Sequence, residues 1–166
     1  MSETSGQDQP EMAVPRDWPD LAGRLMQGTD GRWHRLGVRV YFEDTDFSGL
    51  VYHASYVRWC ERGRSDFLRL VGSEHKTLIE GAGGREPAAF VVRRMTLEFL
   101  KPSRIDDVLE VETRVKAMTA ATLVLAQSIV RAGETIFEAD VTVVLVTMSG
   151  RVLSLSAALK SALGGR

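Results

Sequence analysis

Hydrophobic positions recur every three or four residues along one stretch of this chain and every two along several others. That contrast lays out the elements. From Tyr52 to Val71 the apolar positions Tyr56, Trp59, Cys60, Gly63, Phe67, Leu70 and Val71 predict one long amphipathic helix. Arg58, Glu61, Arg62, Asp66 and Arg69 take its other face, with Arg62 and Asp66 one turn apart. Gly63 in the apolar stripe costs about 1 kcal/mol relative to Ala, which a close approach of helix to sheet would explain. Arg35 to Phe42 predicts a first strand, ended by the turn-forming stretch Glu43 to Gly49.

Beyond the Gly81–Gly84 region the period changes to two. Met95, Leu97 and Phe99 alternate with Arg94, Thr96 and Glu98 until Pro102, and Leu109, Val111, Thr113 and Val115 alternate with Glu110, Glu112, Arg114 and Lys116. Thr122 to Arg131 and Thr135 to Thr147 predict two more strands, and the short connections imply antiparallel pairing. Val143 to Val146 is continuously apolar, as in a strand covered on both faces. The pattern is α+β, with the helix lying across the concave face of a five-stranded antiparallel sheet. One helix cannot cover such a sheet, so the remainder calls for burial between subunits.

The ends read differently. Residues 1–32 form a polar N-terminal extension, with disorder expected to about residue 16, a short helical turn with Pro19, Leu21 and Leu25, and a loop at Gly28 to Gly31. Residues 33–155 form the folded domain. Residues 156–166 are a tail, and Ser154 to Leu163 reads as a weak helix or a strand remnant. A formal net charge of -1 gives no basic field for nucleic acid or anionic lipid. Cys60 is the one cysteine, so no intrachain disulfide and no Cys-based zinc site can form within the chain. The N-terminus lacks a signal-peptide pattern, and no apolar run approaches the roughly 18 residues of a membrane span. A cytoplasmic protein is the expectation.

The chemistry concentrates between Val38 and Arg64. A strand leads into Glu43, Asp44 and Asp46, then Gly49, then the helix start. These carboxylates repel one another, which stability alone would not favour, and strand-to-helix loops commonly carry function. Open N–H groups at a helix start hold developing negative charge, so a carboxylate beside them suits acyl transfer. Capping is the plain alternative, available to Asp44, Asp46 or Ser48. Metal binding by Glu43, Asp44, Asp46 and His53 is another, but nothing nearby completes a ligand set.

The segment YFEDTDFSGLVYHASYVRWCERGRSDFL resembles the signature of the 4-hydroxybenzoyl-CoA thioesterase-like hotdog family, in particular its Tol-Pal-associated acyl-CoA thioesterase branch. The likeness continues through FVVRRMTLEFLKPSRIDDVLEVETRV and spans roughly residues 35 to 150. It implies a hotdog fold and hydrolysis of acyl-CoA to free acid and CoA without metal or organic cofactor. By similarity Asp46 is the catalytic carboxylate, as nucleophile or general base. Gly49 matches the turn glycine, and His53 the helix-start position whose N–H polarises the thioester carbonyl. A secondary side-chain role for His53 is also expected.

Asp44 and Thr45 are expected to hold the loop, and Tyr52 and Tyr56 to shape the acyl pocket or to sit in the core. Arg93, Arg94, Lys101 and Arg104 are candidates for the CoA phosphates. Phe42 stands where many relatives carry Tyr, so a hydroxyl there is missing. Trp59 and Cys60 read as core. The resemblance places the site at a subunit interface, which implies a homodimer or homotetramer. Two rivals remain: a hotdog hydratase or dehydratase, and an acyl-carrier-binding or scaffold protein linked to the Tol-Pal envelope system.

Overall fold

The computed structural model describes residues 23–29, 31–72, 80–81 and 86–164. Among them the chain runs β1 (Arg24–Gly28), β2 (Gly31–Arg39), a 3-10 turn (Phe42–Asp44), α1 (His53–Leu70), β3 (Ala88–Phe99), β4 (Val108–Met118), β5 (Thr122–Arg131), β6 (Glu134–Thr147) and α2 (Ala157–Gly164). All strand pairs are antiparallel, in the order β1-β2-β4-β5-β6-β3.

The helix lies across β2, β4 and β5. Its stripe of Tyr56, Trp59, Cys60, Gly63 and Phe67 is buried against Leu109, Val111, Leu123, Leu125, Ile129 and Phe137. At Gly63 helix and sheet come close: a Cβ there would stand 3.0 Å from Val111 Cγ1 and 3.2 Å from Thr113 Oγ1. The glycine's helix penalty is thus offset by the packing that its missing side chain permits. Beside it Arg64, an unforeseen buried residue, donates to Gln127 Oε1 at 2.8 Å. Gln127 Nε2 in turn donates to the Cys60 carbonyl and Thr113 Oγ1, each at 2.9 Å. These bonds satisfy polar groups that burial would otherwise penalise.

Several expectations need correction. The sheet has six strands, because Arg24–Gly28 adds β1 to the edge of β2 through a hairpin that pairs Gly28 with Gly31. Leu25 therefore lies in a strand and not in a helical turn; Pro19, Leu21 and the segment expected to be disordered lie outside the described residues. The first strand of the expected five begins and ends earlier than its pattern suggested, at Gly31 and Arg39, and Phe42 belongs to the 3-10 turn. Asp66 is drawn inward: its Oδ2 lies 2.7 Å from His34 Nε2 and accepts the Gly23 N–H at 2.6 Å, while Oδ1 binds Arg69 at 2.8 Å. Partners outside the helix decide its direction, and no one-helix pattern could display them. Burial lowers the pKa of the fully buried His34 below its ordinary 6.5, with Asp66 opposing.

The tail forms α2, which packs on β2 and β4 with Leu163 buried. Of the unbroken apolar run in β6, Val143, Val144 and Leu145 are buried and Val146 is half-buried. At the far side of the sheet β3 pairs with β6 alone among the described residues, leaving an edge on which Val91 and Val92 are exposed. Among the described residues no helix is long and apolar enough to cross a membrane.

Candidate active site

The chain leaves β2 at Val40, whose N–H and carbonyl pair with Asp107 and Asp106 at 2.9 and 3.0 Å. It then folds into a loop tied by Asp44. The Asp44 carboxylate accepts the Tyr41 N–H at 3.0 Å, and its carbonyl accepts the Tyr52 N–H at 2.8 Å and the Ser55 hydroxyl at 3.3 Å. Thr45 Oγ1 donates to the Phe42 carbonyl at 2.9 Å. Asp44 is buried, with Arg58 3.9 Å away on its rim. The side chains of Asp44 and Thr45 thus hold the loop on itself, and the Asp44 carbonyl fastens it to the start of α1.

Asp46 begins a tight turn inside that loop. Its N–H donates to the Leu50 carbonyl at 2.9 Å, Gly49 N–H donates to the Asp46 carbonyl at 3.0 Å, and Thr45 pairs with Val51. The returning arm is pinned by Val51 N–H to Ser103 and by a bridge between Leu50 and Arg104. Gly49 adopts φ 74°, a left-handed conformation that L side chains rarely take. Space is not the constraint, since a Cβ at Gly49 would meet nothing within 4 Å. Gly49→Ala is therefore expected to cost about 1–2 kcal/mol through backbone strain alone and to reduce activity by disturbing the turn. Chemical denaturation of both proteins checks this, and unchanged stability would contradict it.

The Asp46 carboxylate is exposed, and both donors of Ser48 reach its Oδ1: the hydroxyl at 2.5 Å and the backbone N–H at 2.8 Å. These bonds, the hydroxyl first, hold the Asp46 pKa below the usual carboxylate value, so the group is ionised near neutrality.

Six residues on, α1 starts without a side-chain cap at Tyr52. No side chain of Asp44, Asp46 or Ser48 caps that end. Ser55 N–H closes onto the Tyr52 carbonyl at 2.8 Å, while the N–H groups of His53 and Ala54 have no acceptor among the described residues. Two donors at the positive end of an eighteen-residue helix are thus open to an incoming oxygen. The exposed His53 imidazole lies against the Tyr52 ring, 4.2 Å between centroids, and makes no hydrogen bond to Asp46.

The other candidate residues divide. Tyr52 is half exposed beside His53. Tyr56 is buried, stacked on Phe137 at 5.4 Å and edge-on to Phe99 at 5.6 Å, and its hydroxyl accepts the Ser103 N–H at 3.1 Å. It therefore supports the arm that carries Val51. Trp59 and Cys60 are core, and burial pushes the Cys60 thiol up to about 12, which leaves it unreactive. Arg93 sits in the register shift of β3 and is exposed, as are Arg94 and Arg104. Lys101 is paired with Glu134. No grouping of His, Cys, Asp and Glu among the described residues is arranged to hold a metal ion.

Tyr41, Phe42, Phe47 and Tyr52 all stand exposed around the loop, Phe47 completely. A depression of about 350 Å³ on the sheet face away from α1, between Glu98, Glu112, Arg114, Lys116 and Asp140, contains none of the candidate residues. A single chain therefore does not enclose Asp46. Ser48 and Ser103 went unassigned in the sequence as supports of the loop. The Asp-x-Ser spacing was a usable signal for Ser48, because such pairs close on each other in turns.

The sequence model described as the thioesterase-like superfamily matches residues 40–163. The acyl-CoA thioester hydrolase YbgC of Escherichia coli O6:H1 is 48% identical over 113 residues, covering 68% of this chain and 81% of that protein. The acyl-CoA thioesterase YbgC of Haemophilus influenzae is 39% identical over 94 residues, covering 57% and 66%. Among solved structures, a probable thioesterase from Bartonella henselae superposes with a TM-score of 0.72 at 39% identity, over 75% of this chain and 99% of the other. A 4-hydroxybenzoyl-CoA thioesterase variant in complex with 4-hydroxybenzoyl-CoA gives 0.72 at 20% identity, over 79% and 98%, a likeness of fold.

Proposed function

Because the chain belongs to the thioesterase-like superfamily and is a thioester hydrolase of hotdog fold, we propose that it cleaves acyl-CoA to free carboxylic acid and CoA through Asp46. The supporting observation is a carboxylate held by Ser48 on a hydrogen-bonded turn, just ahead of a helix start whose first N–H groups have no acceptor among the described residues. A thioester carbonyl placed between them would be polarised by the His53 and Ala54 N–H groups while Asp46 supplies the reacting oxygen or base.

Two routes use the same atoms. In one, an Asp46 oxygen bonds to the carbonyl carbon, the C–S bond breaks, and CoA leaves as a thiolate that takes a proton from solvent. Water then cleaves the resulting anhydride, freeing the acid and restoring the carboxylate. In the other, Asp46 takes a proton from a water as that water attacks, and the proton passes to the departing sulfur. General-base assistance is typically worth about 10²–10⁴ in rate. An oxyanion donor contributes roughly 10²–10³. Tyr52 forms part of the acyl pocket on this reading, Tyr56 steadies it from within the core, and the exposed Arg93, Arg94 and Lys101 receive the CoA phosphates.

The site is completed by a second subunit. An Asp46 open to water would work in a high dielectric, where electrostatic stabilisation is weak. The exposed aromatics of the loop and the edge of β3, which no described strand pairs, are the surfaces that a partner would cover. A cytoplasmic site of action accompanies the CoA substrate.

Incubation of the full chain with acetyl-, hexanoyl- and benzoyl-CoA, and with the matching acyl-carrier-protein thioesters, should release free thiol from at least one CoA ester. Absence of thiol release across the CoA series would contradict the proposal. Release from carrier-protein esters alone would move the substrate class to the carrier.

A further inference from the structure

We propose that Ser48 is a positioning residue for the reaction: it clamps one oxygen of Asp46 and thereby presents the other, Oδ2, to the thioester or its attacking water. The inference rests on the assignment of Asp46 as the reacting carboxylate.

Three atoms build the clamp. Ser48 N–H reaches Asp46 Oδ1 at 2.8 Å and Ser48 Oγ reaches the same oxygen at 2.5 Å. Asp46 Oδ2 has no hydrogen bond among the described residues, so the carboxylate is held asymmetrically. The hydroxyl is itself oriented, because Leu50 N–H approaches Ser48 Oγ at 3.4 Å and leaves the hydroxyl proton directed to Asp46. Leu50 is fixed by its carbonyl bond to Asp46 N–H at 2.9 Å and by its bridge to Arg104. The clamp is therefore tied into the backbone at both ends.

An exposed aspartate ordinarily rotates about its side-chain bonds, and ordering it at the moment of reaction costs rate. Two donors on one oxygen remove that freedom beforehand. They also stabilise the charged form over the protonated one, in keeping with the lowered Asp46 pKa. The charged and titratable groups on the surrounding elements are Glu43 and Asp44 of the 3-10 turn, His53 and Arg58 of α1, and Arg104 opposite Leu50. None of them makes a hydrogen bond or ion pair with the Asp46 carboxylate among the described residues. Among the described residues, Ser48 alone bonds that carboxylate.

The test compares Ser48→Ala, Ser48→Thr and Asp46→Asn with the parent full-length protein on an acyl-CoA that the parent cleaves. Ser48→Ala should lower kcat by about three- to tenfold, the size expected for losing one hydrogen bond to a charged group at an exposed site, while KM changes less than about twofold. Because Ser48 depresses the Asp46 pKa, its removal should also shift the acidic limb of the rate–pH profile to higher pH. Ser48→Thr, which keeps the hydroxyl, should restore both kcat and the limb.

Circular dichroism and thermal midpoints of all variants separate this from misfolding. An Ser48→Ala protein with parental kcat and limb would overturn the inference while leaving Asp46 in place, provided Asp46→Asn is inactive. A loss that Ser48→Thr fails to rescue, accompanied by a lower thermal midpoint, would also overturn it, by making Ser48 merely structural. Turnover retained in Asp46→Asn would instead overturn the underlying assignment, and this inference with it.

Discussion

Replacing Phe137 with alanine is expected to cost about 3–5 kcal/mol of stability, the range for emptying a buried aromatic site. Phe137 is fully buried, stacks on Tyr56 and meets Phe99 edge-on at 5.0 Å. Those contacts reach the Asp46 loop by a short route. The Tyr56 hydroxyl holds Ser103 N–H at 3.1 Å, and the Ser103 carbonyl holds Val51 N–H at 2.9 Å, on the arm paired with Thr45. A cavity at Phe137 would loosen Tyr56 and, through it, the arm beside Asp46. Guanidinium unfolding should show a lowered midpoint, and the thermal midpoint should fall by roughly 10 °C or more. A loss below about 1 kcal/mol would mean that the aromatic cluster does not anchor this end of the sheet.

The elements most visible in the sequence were those whose burial follows a single period. Thr122–Arg131 was legible to the residue, and α1 to within one residue at either end, because each repeats its pattern over many positions. Gly63 was also legible: an apolar-stripe glycine signalled a close approach, and Val111 and Thr113 supply it.

β1 was not legible. Arg24–Gly28 alternates weakly, and its strand character comes from pairing with β2, a contact that a five-residue pattern does not encode. Asp66 and Arg64 were misplaced or missed for a related reason. Both are polar on a helix surface, and partners far along the chain, Gly23 and His34 for Asp66 and Gln127 for Arg64, determine that they turn inward.

The loop was partly readable. Asp44 and Thr45 hold it as their residue types suggest, yet whether Asp44, Asp46 or Ser48 capped α1 could not be chosen from spacing. The bonds decide it: Asp44 serves Tyr41, Ser48 serves Asp46, and the helix start is left open. Tyr56 could equally have faced a pocket or the core at its helical position, and its contacts with Phe137 and Ser103 place it in the core.

The largest single effect should come from Asp46 itself. Asn has nearly the same shape and keeps an oxygen that can accept the Ser48 donors, so Asp46→Asn should preserve the turn. It removes the negative charge and, with it, both roles proposed for Asp46, nucleophile and base. The expected loss is at least about 10²–10⁴ in kcat, since removal of a general base alone has that size. On the proposed mechanism the open N–H groups of α1 would remain as oxyanion donors and account for any residual rate.

The most direct measurement is therefore the rate of free-thiol release by Asp46→Asn and by the parent protein on one acyl-CoA, at matched secondary structure and assembly size. A fall of about a hundredfold or more agrees with hydrolysis through this carboxylate. A folded, equally assembled Asp46→Asn that releases thiol within about threefold of the parent rate would contradict it.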